Sequence, residues 1–142
     1  MTLRQEEFDV RETRWLAVVL LAVVAVTVTG CGGSSWPAAP ATVQDITGTE
    51  LEALLDAGNP PVVLDVRSAA EYAAGHIPAS LNIPLADLSA RLNELDSNAP
   101  TACVCAGGSR SAQAALVLVN AGFRTVYNLE GGLAEYDGPM TP

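Results

Sequence analysis

Residues Cys105-Ala106-Gly107-Gly108-Ser109-Arg110-Ser111 gather a thiol, two glycines, an arginine and two hydroxyls into one short stretch. Those types at that spacing suit a sulfur nucleophile held in an anion-binding loop. Gly107 and Gly108 let the backbone curl so that several N–H groups face one anion. A helix starting just after the loop adds its positive dipole end. Arg110 adds a full charge and a fork of donors suited to shaping the loop and binding an oxyanion, with a cap or a pair with a carboxylate as the alternative. A free thiol with a pKa of about 8.5 is only a few per cent thiolate at neutral pH. A depression of about two units makes it mostly thiolate, and helix N-termini with nearby cations supply shifts of that size.

Other reactive side chains are few. Cys103 lies two residues before Cys105, on the same strand face by alternation. It reads as a small buried residue or as a resolving thiol for Cys105. His76 is the only histidine. Asp65 and Arg67 flank a strand end near the loop, either as a structural pair or as supporting residues of the site. Glu71 reads as a helix cap. One His and three Cys without a Cys-x-x-Cys pair leave too few ligands for a zinc site of the usual kind. No metal or cofactor is expected.

The elements that must position these residues follow a βα alternation. Val43–Ile46 is a short strand candidate. Thr49 with Glu52 has capping-box form and predicts a helix to Ala57, stopped by a left-handed Gly58. Val62–Val66 reads as a strand buried on both faces. Ser68 with Glu71 caps a short helix that Gly75 ends. Leu81–Ile83 is a brief strand, and Leu85, Leu88, Leu92 and Leu95 fall on one face of a predicted helix. Thr101–Cys105 is a strand, Ser111–Asn120 a helix closed by Gly122, and Thr125–Tyr127 the last strand. Gly131-Gly132 opens a final turn or short helix. The pattern predicts an α/β class protein, a sandwich around a mainly parallel five-stranded sheet.

Several stretches together resemble the rhodanese family of sulfurtransferases. Cys105-x-x-Gly108-x-Arg110-Ser111 is similar to its active loop. Leu64-Asp65-Val66-Arg67 with Glu71-Tyr72 resembles its first signature, and Gly75-His76-Ile77-Pro78-Ala79-Ser80-Leu81-Asn82-Ile83-Pro84 its second. Gly122-Phe123, Val126-Tyr127-Asn128-Leu129 and Gly131-Gly132 are similar to its C-terminal part. The resemblance implies a rhodanese-like three-layer fold with helices on both sheet faces. It implies that Cys105 accepts a sulfane sulfur from a donor such as thiosulfate. The persulfide so formed passes its sulfur to a thiol, cyanide or another thiophilic acceptor. Residues Ala106, Gly107, Gly108, Ser109, Arg110 and Ser111 would cradle the outer sulfur, and His76 would be structural.

Related phosphatases of this fold use a loop one residue longer, so the Cys105–Arg110 loop suits sulfur rather than phosphate. The family often has Trp where Tyr136 stands, and Gly-Ala where this chain has Ala79-Ser80. The extra basic loop residue of some thiosulfate users is replaced by Ala106 and Gly107. Two rivals remain open, a non-catalytic membrane-tethered rhodanese module that binds a partner and a thiol redox protein using Cys103 and Cys105.

The N-terminus reads as an address. Trp15–Val28 passes without a charge, shorter than the roughly 18–20 residues of a bilayer span but fitting a secretory signal core. Val28-Thr29-Gly30-Cys31 resembles the lipobox of bacterial lipoprotein signals, which implies lipidation of Cys31. Glu6, Glu7, Asp9 and Glu12 interrupt the usual positive start, although Arg11 and Arg14 adjoin the apolar core. An uncleaved membrane anchor is the alternative. The expected organisation is a signal at 1–30, lipidated Cys31 with a flexible tether to 42, a rhodanese domain at 43–138 and a tail at 139–142. The domain would then be a monomer held by lipid outside the cytoplasm.

Composition agrees with a packed domain and excludes some partners. Hydrophobic residues make up 49% and aromatic ones 5%, so the core is built from Ala, Val and Leu. All seven basic residues are Arg, against sixteen acidic residues, a net charge of -9. From Cys31 onward four Arg face twelve acidic residues. Nucleic acid is a poor partner for such a chain, because phosphate neutralisation needs clustered cations.

Overall fold

The computed structural model describes residues 41–142. The signal, Cys31 and most of the tether lie outside the described residues. Five strands, β1 (Val43–Ile46), β2 (Val62–Asp65), β3 (Leu81–Asn82), β4 (Thr101–Val104) and β5 (Val126–Leu129), form one sheet in the order β1-β5-β4-β2-β3. Every pairing is parallel. Parallel neighbours need crossovers, and the crossovers here carry helices onto both faces.

Strand alternation divides the core in two. Leu64, Cys103 and Val126 point to the face covered by helix α4 (Ser109–Asn120), where Ala114, Ala115 and Leu118 pack. Val63, Ala102, Val104 and Leu129 point to the opposite face, under Leu51 of α1 (Gly48–Leu55) and Tyr136. All four residues of β4 are buried, as a central strand covered on both faces requires.

Several local expectations needed correction. The first helix is capped two residues earlier than the sequence predicts, by Thr47 with Glu50. Gly48 can then lie at the helix start, where a Cβ would be 3.3 Å from the Glu135 carbonyl oxygen. The helix ends at Leu55 with Asp56 in right-handed conformation, and Gly58 is not left-handed. The four leucines from Leu85 to Leu95 do pack on one core, but through two separate turns, α3 (Leu85–Leu88) and a 3-10 turn (Leu92–Glu94). Three- and four-residue spacing is met as well by successive turns as by one helix. Helix α4 begins at Ser109, two residues before the predicted start, and β5 runs on to Leu129. The Ser68–Glu71 capping box of α2 (Ala69–Ala73) and the left-handed Gly122 after α4 agree with expectation.

The last residues return to the domain. His76 and Thr141 exchange two backbone hydrogen bonds of 2.8 Å each. No helix among the described residues is long and apolar enough to cross a membrane.

Candidate active site

Strand β4 delivers Cys105 to the carboxyl edge of the sheet, and α4 starts four residues later. This edge is where ligand sites of open parallel sheets collect. Gly108 makes the tight link. Its φ of 88° is left-handed, and a Cβ there would lie 3.2 Å from the Gly131 amide nitrogen. Gly107 has no such requirement: nothing lies within 4 Å of the place a Cβ would take, and its φ is not positive. Of the two glycines read as curling the loop, only Gly108 does so.

The sulfur is ringed by donors. The Gly108 N–H donates to Sγ at 3.2 Å, and the Ser111 Oγ lies 3.4 Å away. Burial raises the thiol pKa, but the Ser111 hydroxyl and the amides of Ser111, Gly107 and Arg110 outweigh it, so the net shift is downward. Cys105 is 1% exposed and belongs to the same core cluster as Leu64, Cys103 and Ala114. Cys103 shows the contrast. It is fully buried, and burial first, then the neighbouring Cys105, pushes its thiol up to about 12. Burial alone raises a thiol pKa, and directed donors reverse that only at Cys105.

Of the two readings of Arg110, a loop-shaping anion ligand or the partner of a carboxylate, the structure shows the carboxylate pair. The Arg110 guanidinium makes a two-pronged pair with Glu71, at 2.8 and 3.0 Å. The Arg110 backbone N–H is among the donors that lower the Cys105 pKa. With its fork occupied, the side chain fastens α2 to the cysteine loop, and Glu71 is held well below the usual carboxylate range by Arg110 and then by Ser68. Glu71 therefore does more than cap α2. Ser109 opens α4 on the exposed side, Ala106 is exposed at the loop tip, and Ser111 is buried beneath the sulfur.

Asp65 and Arg67 form the structural pair that was one of their two readings. The Asp65 carboxylate accepts the Arg67 backbone N–H at 2.9 Å and its guanidinium at 2.7–3.0 Å. Arg67 also donates to the Gly75 carbonyl at 2.7 Å. Asn82, which sequence reasoning did not single out, donates to the backbone carbonyls of both Asp65 and Arg67 at 2.9 Å. His76 stacks on Tyr72 with ring centroids 3.8 Å apart and lies 3.0 Å from the Tyr72 carbonyl through Nδ1, which makes it structural.

The Gly131-Gly132 turn proves to be the loop's clamp. A Cβ on Gly132 would lie 2.5 Å from the Cys105 carbonyl oxygen and 2.7 Å from the Gly107 nitrogen. Immediately after it, the N–H groups of Leu133 and Ala134 donate to the carbonyls of Cys105 and Ala106, at 2.8 and 2.9 Å. The glycine pair was visible in the sequence, but its contact with a loop some twenty-five residues earlier was not. Among the described residues no group of His, Cys, Asp and Glu is arranged to hold a metal ion. The arrangement is a buried cysteine whose surrounding donors favour the thiolate form.

Residues 47–138 match the model of the Rhodanese-like domain. The chain belongs to the rhodanese-like family. It is 30% identical over 100 residues to the putative sulfurtransferase YtwF of Bacillus subtilis, covering 70% of this chain and 96% of that protein. It is 44% identical over 71 residues to the thiosulfate sulfurtransferase GlpE of Pseudomonas fluorescens, covering 50% of this chain and 65% of GlpE. The crystal structure of a rhodanese-like domain protein from Staphylococcus aureus matches with a TM-score of 0.62 at 35% identity, over 67% of this chain and 94% of that one. The chain spans about half the length of the first curated relatives it matches, 41% and 62%. The rhodanese-like fold is thus shared with solved relatives, and the cysteine loop lies within the matched residues.

Proposed function

We propose that this rhodanese-like chain is a sulfurtransferase that moves a sulfane sulfur through a persulfide on Cys105. The observation that carries the reading is the Cys105 sulfur held between the Gly108 amide and the Ser111 hydroxyl, with its pKa lowered despite burial. A cradle of donors that favours a thiolate also favours an anionic sulfur adduct.

The chemistry balances simply. The Cys105 thiolate attacks the outer sulfur of thiosulfate, the S–S bond of the donor breaks, and sulfite leaves with its electron pair. Cys105 then carries a terminal sulfur as the persulfide anion. Attack on that terminal sulfur by a thiolate or cyanide forms the acceptor's new bond to sulfur and returns the Cys105 thiolate. The donors that lower the Cys105 pKa put more of it in the nucleophilic thiolate form. The loop from Ala106 to Ser111 would hold the terminal sulfur, and Arg110 would meet an anionic donor when its pair with Glu71 opens. Relatives named as sulfurtransferases, one a thiosulfate sulfurtransferase, support this reading.

The proposal extends to place and partners. Cys31 at the end of its lipobox-like stretch would carry the lipid, so that a monomeric domain works outside the cytoplasm against a membrane. Its small partners would be a sulfur-containing anion and a thiol or cyanide acceptor. The burial of Cys103 and its raised pKa weigh against a redox pair with Cys105.

The test is sulfite release from thiosulfate with a thiol acceptor. Wild type and Cys103→Ser should both turn over, and Cys105→Ser should not. Equal activity in Cys105→Ser, or loss of activity in a folded Cys103→Ser, would contradict the proposal.

A further inference from the structure

We propose that Glu71 is a specificity-determining residue that turns the site away from doubly charged sulfur donors, thiosulfate among them, and toward singly charged ones. The inference rests on the sulfurtransferase reading above. The matching donor class is a sulfane sulfur that carries a single negative charge, as in an organic thiosulfonate or persulfide. Glu71 acts by holding Arg110, the one cationic side chain of the cysteine loop.

Arg110 spends both of its amino groups on Glu71. Nη2 donates to Oε1 at 2.8 Å and Nη1 to Oε2 at 3.0 Å. An isolated surface pair of this kind contributes little and opens readily. This one is braced from behind. The same Oε2 accepts the Ser68 N–H at 3.0 Å and the Ser68 hydroxyl at 2.7 Å, in the capping box of α2. Glu71 is therefore held in place by its own helix and not only by Arg110. Both side chains are 38% exposed, so the pair is open to a donor arriving from solvent. The guanidinium also lies within charge range of the sulfur: Glu71 first, and then Cys105, raise its pKa.

No other cation among the described residues serves the loop. Arg67 is paired with Asp65, and Arg91 with Glu94. Arg124 precedes β5 and so belongs to the opposite end of that strand. Ala106 and Gly107 add no charge. The donors that do face the sulfur, the Gly108 N–H and the Ser111 hydroxyl, serve the atom that every sulfur donor shares. They do not tell one negative charge from two. That distinction falls to Arg110, and Glu71 cancels it. A dianion must displace a braced carboxylate or approach a pair of zero net charge, and a monoanion loses less by the same arrangement. Discrimination of this kind comes from withholding an attraction as much as from adding one.

The test compares two donors that present the same outer sulfur on a sulfonyl group. Thiosulfate carries two charges. Methanethiosulfonate carries one, with a methyl group in place of an oxygen anion. In both, the Cys105 thiolate bonds to the outer sulfur, the sulfur–sulfur bond breaks, and sulfite or methanesulfinate leaves with the electron pair. The full chain in detergent micelles is assayed with each donor, with cyanide taking the sulfur as thiocyanate. Glu71→Gln keeps a side-chain oxygen for the capping box and removes the charge. It should raise the thiosulfate-to-methanethiosulfonate ratio of kcat/KM about fivefold, the effect of one further charge about 4 Å from a released guanidinium in water. The gain should lie in KM rather than kcat. It should fade in about 1 M salt, where the Debye length falls to about 3 Å. Glu94→Gln makes the same change of net charge in the 3-10 turn before β4, and should leave the ratio unchanged. A ratio that Glu71→Gln does not move, or that Glu94→Gln raises equally, would overturn the proposal. Equal losses with both donors would also overturn it, by making Glu71 a brace of the fold alone. A wild type that turns over neither donor would instead refute the sulfurtransferase reading, and this inference with it.

Discussion

Replacing Ser111 with alanine should raise the Cys105 pKa by about one unit. The hydroxyl has one proton and two acceptors in reach, the sulfur at 3.4 Å and the Gly108 carbonyl at 2.9 Å. With a neutral thiol it donates to the carbonyl, and with a thiolate it turns to the sulfur. A hydrogen bond to a charged group contributes about 1.5–3 kcal/mol and a neutral one about 1. The difference that favours ionisation is therefore about 0.5–2 kcal/mol, which is about 0.4–1.5 pKa units. Ser111→Ala leaves no orphan behind, because the Gly108 carbonyl keeps the Ala112 N–H at 3.0 Å. The assay is the rate of iodoacetamide alkylation against pH in a Cys103→Ser background. Because the folded pKa is depressed, the thiolate persists below the ordinary thiol range, and the variant's profile should move to higher pH. Below both midpoints the thiolate fraction falls about tenfold per unit while its basicity recovers about threefold, so alkylation slows about threefold. Above both midpoints the variant should be the faster of the two. An unchanged midpoint would refute the idea that the hydroxyl stabilises the thiolate, and a downward shift would reverse it.

Four further outcomes follow from the same geometry. Ala79 has a φ of 61° where the family usually has glycine, so Ala79→Gly should stabilise. Relief of about 1–2 kcal/mol of left-handed strain is partly offset by about 0.5–1 kcal/mol of glycine entropy, a net gain near 0.5–1 kcal/mol readable by urea denaturation. Gly132→Ala drives a methyl into the Cys105 carbonyl, and should cost about 2–3 kcal/mol in denaturation and shift the thiol pKa upward with the displaced loop. Asp65→Ala leaves the 8% exposed Arg67 without its partner, and should cost about 3–5 kcal/mol by the same measurement. Gly107→Arg meets nothing at Cβ, and should raise kcat/KM for thiosulfate about fivefold at low salt, since a charge pair at about 4 Å in water is worth about 1 kcal/mol.

The sequence made the cysteine loop legible because its information is local. A thiol, a glycine in the left-handed position and a helix start stand within a few residues, and each has one conformational meaning. The alternation of β-rich runs with capping boxes likewise fixed the α/β class, and strands buried on both faces were readable from their unbroken apolar runs. What escaped was set by tertiary contact. Arg110 looked like an anion ligand until folding placed Glu71 beside it, thirty-nine residues away in sequence. Gly131-Gly132 looked like a turn, yet Gly132 is needed because the cysteine loop passes within 2.5–2.7 Å of it. The leucine spacing from Leu85 to Leu95 could not tell one helix from two turns, because both put the same side chains on the core. Thr47 displaced Thr49 as the cap because both have a glutamate three residues on, and only packing against Glu135 and Tyr136 selects between them.

The arrangement also explains how one scaffold holds two neighbouring thiols with opposite character. Cys103 and Cys105 belong to the same core cluster. Cys103 lies within β4, where its backbone groups are spent on strand pairing and no donor turns toward its sulfur. Cys105 lies one residue past the strand, where the chain bends and amides become free to converge. A step of two residues along one strand thus separates a packing residue from a nucleophile.

The central claim is a persulfide on Cys105, and intact mass tests it most directly. The full chain is incubated with thiosulfate, freed of the donor, and weighed beside Cys105→Ser. The account predicts a gain of about 32 Da in wild type alone, the mass of one persulfide sulfur, and its removal by cyanide or a thiol. A folded, reduced wild type that gains no sulfur from thiosulfate or from a polysulfide, or an equal gain in Cys105→Ser, would contradict it.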